Sequence, residues 1–425
     1  MIKPLIVSSY DPIGGAGASR SAYRLHQGFL KLGIDSKMLV QDKRMDDPTI
    51  VSASNPLAQK LWKFRPVLDG LPLKLYPNRQ KGAVLFSIQW LPDIINSQIV
   101  KFQPDIINLR WVCEGFLPIE ALSKIQKPIV WTLNDMWSFT GGCYYSEGCE
   151  QYKKSCGNCP ILGSKHSWDL SRLTWQRKAK AWNNLKFTLV APSNWIAERA
   201  RASSLFSNKD IRVIFNGLDI DKYKPTEREK ARKLLNLPQD KQLILFGAIN
   251  AISDPRKGFH LLQAALQKLS KLQWKDKIEL IVFGAAKPSH PVDLGFPVHY
   301  LGKVNDEIKL ALLYSAADVM IVPSTEEVFG QTASESLACS TPVVCFDSTG
   351  LKDLVDHQNN GYRAKYLSYE DLANGIVWVI ENKQRHQQLC QNARQKAEQE
   401  FNIEIQTRRY LSVFEELLES GISKK

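Results

Sequence analysis

One stretch of this 425-residue chain limits what it can fold into more than any other. Asp318-Val319-Met320-Ile321-Val322-Pro323 reads as a strand buried on both faces, a polar loop follows, and Gly330 admits a helix whose early turns carry Glu335. Strand, loop, glycine and helix in that order form the βα unit of an open α/β sheet, where ligands sit beyond the carboxyl ends of the strands. Backbone N–H groups and the positive end of the helix dipole face outward there, a setting suited to a diphosphate. Glu327 on the loop and Glu335 on the helix can face one pocket and accept hydrogen bonds from ribose or hexose hydroxyls. The plain alternative is two solvated surface glutamates; the order of the elements favours the site.

The rest of the chain repeats the alternation. Lys3–Ser9, Ser36–Val40, Asp105–Trp111, Pro128–Asp135, Phe187–Ala191 and Ile211–Ile214 read as strands in the first half, with a helix over Ser19–Leu32. Gln242–Gly247, Ile278–Gly284, Val298–Gly302 and Pro342–Phe346 do so in the second, with helices over Phe259–Leu269, Asp306–Ala316 and most of the chain from Tyr369. The chain is long enough for two domains, each with its own core. No window reaches the roughly eighteen uninterrupted apolar residues of a membrane span. Met1–Ser9 reads as a first strand rather than a signal peptide, so the expected setting is cytoplasmic, with peripheral contact at the inner face of a membrane as an addition.

Charge is unevenly divided, with 29 Lys and Arg against 17 Asp and Glu in residues 1–220 and 27 against 26 in residues 221–425. A basic half suits an anionic partner such as a lipid-diphosphate acceptor or an anionic membrane surface, or is solubility charge spread over the surface. No nucleic-acid-binding motif is present, and no nucleic-acid partner is expected. Between residues 43 and 100, Trp62, Phe64, Leu68, Leu71, Leu73, Leu75 and Tyr76 lie among basic residues and prolines. Such a stretch lies on a membrane face or forms a satellite core cluster.

Four loops carry the candidate chemistry. Pro12-Ile13-Gly14-Gly15-Ala16-Gly17 invites a dinucleotide-binding reading with Asp42 as the ribose acid, but the third glycine position is Arg20. What remains is that Gly15, Ala16 and Gly17 let the backbone approach an anionic group at a helix N-terminus. Asn134-Asp135-Met136-Trp137 follows a strand, and Asp135 either orients or deprotonates an acceptor hydroxyl or caps the next turn. Cys143, Cys149, Cys156 and Cys159 fall in a loop over residues 141–165, spaced C-x5-C-x6-C-x2-C. Four cysteines suit a tetrahedral structural zinc with no open position for catalysis; two disulfides or a reduced loop are the alternatives. Asp254-Pro255-Arg256-Lys257-Gly258 starts a helix, and two cations there would stabilise a diphosphate leaving group as its charge develops, unless they are a solvated turn pair.

Glu327-Val328-Phe329-Gly330 through Glu335, followed by Cys339-Ser340-Thr341-Pro342-Val343-Val344, resembles the E-x7-E signature of the family 4 (group 1) glycosyltransferases. Asp135-Met136-Trp137 with Phe139-Thr140-Gly141-Gly142-Cys143 resembles a motif of members that build exopolysaccharide of the colanic-acid type. The resemblance implies the GT-B fold, an α/β architecture of two doubly wound Rossmann-like domains facing a central cleft. Phe215-Asn216-Gly217-Leu218-Asp219 matches the family's crossing between domains, giving an acceptor-binding domain over 1–217, a nucleotide-sugar domain over 218–402 and a helix over 403–425 that packs back on the first. That position makes Asp219-Ile220-Asp221 a hinge rather than a metal site, and no metal or other cofactor is expected in catalysis.

By the same resemblance Glu335 holds the donor ribose, Glu327 the transferred sugar, and Lys257 with Arg256 the diphosphate. Amides of Phe329, Gly330 and Gln331 lie against sugar and phosphate, and the turn Gly302-Lys303-Val304 borders the base. The loop with Gly15, Ala16 and Gly17 and the pair Asn134 and Asp135 line the acceptor side. The implied reaction is retaining transfer of a hexose from a nucleotide sugar to a glycan or lipid-linked hydroxyl, with attack from the leaving-group face because the motifs hold no evident nucleophile. Three positions depart from the family. Val328 stands where proline is usual, Ala248 where an arginine follows the strand glycine, and Asn134 where a histidine could share a proton; asparagine only donates and accepts hydrogen bonds. A nucleotide-sugar epimerase of similar architecture and a non-catalytic protein binding anionic surfaces are the rival readings.

Overall fold

A computed structural model of the chain describes residues 2–53, 55–80, 86–247, 251–288 and 292–422. The chain up to Phe215, together with the chain from Glu404 onward, forms one compact unit, and Asn216–Ile403 forms another.

The first unit is built on seven strands: β1 Pro4–Tyr10, β2 Lys37–Asp42, β3 Ile50–Val51, β4 Ile106–Leu109, β5 Ile129–Thr132, β6 Thr188–Ala191 and β7 Ile211–Val213. All pair in parallel, in the order β3-β2-β1-β4-β5-β6-β7. Order reverses between β1 and β4, whose register sets Ile6 against Asn108. Parallel strands need crossover helices on both faces, which is why β1 and β4 to β6 are buried almost throughout rather than alternating. Ile6, Leu25, Phe29, Val40, Ile106 and Val130 pack with Tyr410, Val413 and Phe414 of the helix Ile403–Ile422. Beside that core the fully buried Arg110 donates to Thr132 Oγ1 and Tyr410 Oη, each at 3.0 Å, and to Ser21 Oγ at 2.7 Å.

His26 is also enclosed, its ring nitrogens 2.8 Å from Ser36 Oγ and 2.7 Å from Thr49 Oγ1. Burial pushes its pKa down to about 4. The unfolded chain therefore takes up a proton at pH 6.5 that the folded chain refuses until about pH 4, so folding weakens as pH falls through that window. We expect a loss of about 3 kcal/mol between those limits, measured by urea unfolding and missing from His26→Gln.

The second unit holds β8 Gln242–Gly247, β9 Ile278–Phe283, β10 Val298–Tyr300, β11 Val319–Val322, β12 Val343–Phe346 and β13 Gly361–Ala364, parallel in the order β10-β9-β8-β11-β12-β13. Its order reverses between β8 and β11, paired Ile244 to Val319. Asp318 opens β11 from the opposite end to the motif loop. Its Oδ2 accepts from Arg232 Nη2 at 2.7 Å and from the Leu243 amide at 2.6 Å, and Arg228 lies 3.1 Å from Oδ1.

The stretch 43–100 divides between its two readings. Trp62 and Leu73 are buried, Leu73 in a satellite cluster with Ile88, Cys143, Cys159, Ile161 and Leu162. Phe64, Leu68, Leu71 and Leu75 are exposed. Among the described residues no helix is long and apolar enough to cross a membrane.

Candidate functional site

Lys257 and Glu327 follow the two strands flanking the second unit's switch point, β8 and β11. In a doubly wound sheet this is where the connections diverge to opposite faces and open a crevice. Asp254 begins the turn Pro255–Lys257, its carboxylate accepting the Arg256 amide at 3.1 Å. Gly258 then takes φ +71°, and a Cβ there would lie 1.9 Å from the Pro323 carbonyl oxygen, so glycine is required where the two loops touch. Thr325 seals the contact by donating its N–H to Arg256 O at 2.8 Å.

This juxtaposition places Lys257 Nζ 2.7 Å from Glu327 Oε2, the two side chains 24% and 16% exposed. Arg256 does not join them. Its guanidinium holds Asp254 through Nη2 at 2.6 Å and Nε at 3.2 Å, so its charge is already matched within the turn.

Gly330, at φ +95°, begins the helix Gln331–Ala338, and Gln331 at its first position is half-buried. Val328 and Phe329 are buried, Phe329 edge-on to Phe401 at 5.8 Å. Glu335 is enclosed rather than presented at a surface: it is 1 % exposed, and its Oε2 accepts from Tyr314 Oη at 2.9 Å. Burial, with Glu335 beside it, holds the Tyr314 phenol far above its ordinary pKa, so it remains a donor. Tyr314 carried no motif; its only sequence trace was its place on the preceding helix. Gly302, at φ +63°, has open space where a Cβ would stand, and Val304 is buried. Ala248 lies outside the described residues.

The first unit shows a similar arrangement at the carboxyl ends of β1, β4 and β5. Asp11 organises the first loop, its Oδ1 accepting the amides of Ile13 at 3.0 Å and Gly14 at 2.8 Å, and its Oδ2 those of Arg44 and Met45. Gly15 donates back to Asp11 O at 2.9 Å, and a Cβ there would strike Ser19 Oγ at 2.0 Å. Ala16 is the N-cap of the helix Gly17–Lys31. Asp42 pairs instead with Arg44 at 2.8 Å and Lys63 at 3.2 Å.

Asp135 does cap the turn after β5, Oδ1 accepting the Trp137 amide at 2.8 Å while Oδ2 accepts the Trp111 indole N–H at 2.6 Å. Asn134 beside it is half-buried and donates to Thr132 O at 3.3 Å. Beneath this turn the fully buried Lys178 reaches Trp137 O and Thr140 O, its ammonium 3.6 Å from the Trp137 ring centroid.

Two family models match the chain, one described as Glycosyltransferase Family 4 over residues 15–222 and one as Glycosyl transferases group 1 over residues 227–396. The chain belongs to this glycosyltransferase family. A D-inositol 3-phosphate glycosyltransferase of Xylanimonas cellulosilytica is 36% identical over 169 residues, 36% of this chain and 38% of that protein. D-inositol 3-phosphate glycosyltransferase 2 of Catenulispora acidiphila is 29% identical over 197 residues, 43% and 45% of the two chains. The chain thus spans less than half the length of these curated relatives. Whole-chain likeness comes from solved structures. Sucrose-phosphate synthase from Thermosynechococcus elongatus superposes with a TM-score of 0.71 at 19% identity, covering 99% of this chain and 100% of that one. Anabaena HepE in complex with UDP and glucose does so at 0.63 and 17%, covering 98% and 100%. Each shows the GT-B fold.

The structure brings the four cysteines of the loop over residues 141–165 to one cavity. Cys143, Cys149, Cys156 and Cys159 are free thiols around one small cavity, with neither disulfide of the alternative reading formed. Among the described residues no three His, Cys, Asp or Glu side chains converge closely enough to hold a metal ion. Burial pushes the thiols up, Cys156 to about 12 and Cys159 to about 11. Other bonds staple the loop. Asp169 accepts the amides of Cys159, Ser171 and Arg172, Ser171 Oγ accepts the Gly157 amide at 2.9 Å, and Lys178 holds the carbonyls before Cys143.

Proposed function

We propose that this chain transfers a hexose from a nucleotide-sugar donor to a hydroxyl of a surface-polysaccharide or lipid-linked glycan, with retention at the anomeric carbon. The observation that carries this reading is the Lys257–Glu327 pair at the switch point of the second sheet. A donor diphosphate entering there draws the Lys257 ammonium from Glu327. The freed carboxylate then accepts hydrogen bonds from the hexose hydroxyls.

As the glycosidic bond breaks, negative charge grows on the leaving diphosphate, and a cation already in place stabilises it without reorganisation. The amides of Phe329, Gly330 and Gln331 and the positive end of the helix Gln331–Ala338 support sugar and phosphate, while Gly302 and Val304 border the base. Glu335, held by Tyr314, serves the ribose from beneath this loop. Asp135 orients the acceptor hydroxyl, and Asn134 takes no proton. The described complexes of HepE with UDP and glucose support a nucleotide-sugar donor for this fold.

The test is thermal unfolding in the presence of UDP-, GDP-, ADP- and dTDP-hexoses, with Lys257→Ala and Glu335→Gln alongside. A ligand at about one hundred times its Kd stabilises by about 2.7 kcal/mol. One nucleotide sugar should raise the wild-type midpoint and leave both variants unmoved. If none does, or if the variants respond like the wild type, the donor site is misplaced.

A further inference from the structure

The helix Pro56–Asp69 is amphipathic the wrong way round for a helix packed on a sheet. Its inward face is Trp62, Arg65 and Asp69. Trp62 sits edge-on to Phe116 at 6.0 Å, Arg65 donates to Gly115 O and Pro92 O at 2.6 Å each, and Asp69 accepts from Ser87 Oγ at 2.5 Å and the Gln89 amide at 2.7 Å. Its outward face carries Leu57, Leu61, Phe64 and Leu68, spaced four, three and four residues apart along one stripe. Leu75, just beyond, and Trp90, whose indole donates to Leu68 O at 3.2 Å, extend the patch. These six side chains are 40–78% exposed. Contiguous apolar surface of this kind marks an interaction site, since scattered single residues would need no explanation.

Charge decides what covers it. Between residues 55 and 80 the only acid is Asp69, which is buried, whereas Lys60 and Lys74 are exposed, as is Lys63 beside its partner Asp42. A second copy docking through the same patch would set these lysines against one another with no exposed acid of the segment to answer them. An anionic bilayer answers both features: lipid headgroups pair with the lysines while leucine and phenylalanine enter the headgroup–acyl boundary and tryptophan sits at its edge. The surplus of basic residues across the first half of the chain adds long-range attraction of the same sign.

We infer that the outward stripe of Pro56–Asp69, with Leu75 and Trp90, docks this protein on an anionic lipid surface without spanning it. The inference stands whatever the chain catalyses.

The 425-residue protein, co-sedimented with phosphatidylcholine vesicles and with vesicles that also contain phosphatidylglycerol, provides the test. We expect binding to the anionic vesicles to be at least about tenfold tighter and to weaken with salt. Leu61→Glu with Phe64→Glu should abolish it, and Lys60→Glu with Lys74→Glu should weaken it by about tenfold or more and flatten its salt dependence. All four side chains face solvent, and unchanged thermal unfolding checks that the variants fold; Leu57→Gln with Phe64→Gln is the gentler pair should glutamate prove disruptive. Equal binding to both vesicle types, or binding unaffected by either apolar pair, overturns the inference. So does a lipid-free dimer that the apolar pair converts to monomer, which would make the stripe a protein interface.

Discussion

Lys257→Ala is expected to lower kcat/KM by about 10²–10³-fold while changing unfolding stability by less than about 1 kcal/mol. The two halves of this expectation have different origins. Among the described residues Lys257 pairs with Glu327 at 2.7 Å, and the pair is partly hydrated. Pairs of that kind contribute little to folding because Coulomb attraction is offset by lost side-chain freedom and hydration. In the reacting complex the same ammonium would stand against a diphosphate whose charge rises as the sugar departs. A preplaced charge lost from such a position costs about 2.7–4 kcal/mol of barrier. Lys257→Arg should recover part of the rate, since the charge is kept and its reach altered. Steady-state kinetics with the donor found by thermal shift, run beside urea unfolding, checks both halves. Unchanged kinetics in Lys257→Ala would remove the lysine from the proposed site, and a large stability loss would show the pair to be structural.

The placement of that lysine was legible because strand, turn, glycine and helix are local signals. Val319–Val322, Gly330 and the helix Gln331–Ala338 follow one another in the chain, and so do Gln242–Gly247, Pro255–Lys257 and Gly258. Adjacent chain segments report their own geometry. Partners that come from elsewhere in the fold do not. Tyr314, which occupies the Glu335 carboxylate, belongs to the helix before β11, and nothing about an isolated tyrosine announces that it will be buried against an acid. Arg256 and Lys257 read as two cations of one turn, and nothing in the sequence says that Asp254 holds the first and Glu327 the second.

Asp11 gathers amides from two loops more than thirty residues apart, a role invisible to any motif. The four cysteines illustrate the converse. Spacing suits a metal on the four thiols, and it does not reveal that Asp169, Ser171 and Lys178 also hold the loop. Residues 43–100 divide between two readings because the helix Pro56–Asp69 exposes an apolar stripe while Leu73, in the turn that follows it, feeds a satellite core.

Asp318→Ala should show the opposite division, with about 3–5 kcal/mol of stability lost and turnover per folded molecule nearly unchanged. Asp318 lies at the start of β11, the strand whose far end carries Glu327, and is 5 % exposed. It binds Arg232 at 2.7 Å, and Arg232 also donates to the carbonyls of Ala316, Gln239 and Lys241, tying the strand to the neighbouring helix and to the entry of β8. Removing the carboxylate strands a guanidinium that burial already disfavours, and frees the Leu243 amide that the same oxygen satisfied.

His386 leans on this corner through its Nε2, 2.7 Å from Asp318 O, and burial holds its pKa below the ordinary histidine range. Its protonation is therefore resisted in the folded state, and the loss caused by Asp318→Ala should be compounded as pH falls below about 6.5. Arg232→Met is the informative companion. Because it removes the stranded charge together with its partner, the double variant Asp318→Ala/Arg232→Met should be less destabilised than the sum of the two singles, a coupling read by a double-mutant cycle in urea. Additive losses would mean that the pair does not act as a unit. Preserved stability in Asp318→Ala would show that β8 and β11, and with them the loops bearing Lys257 and Glu327, are held in register by packing alone.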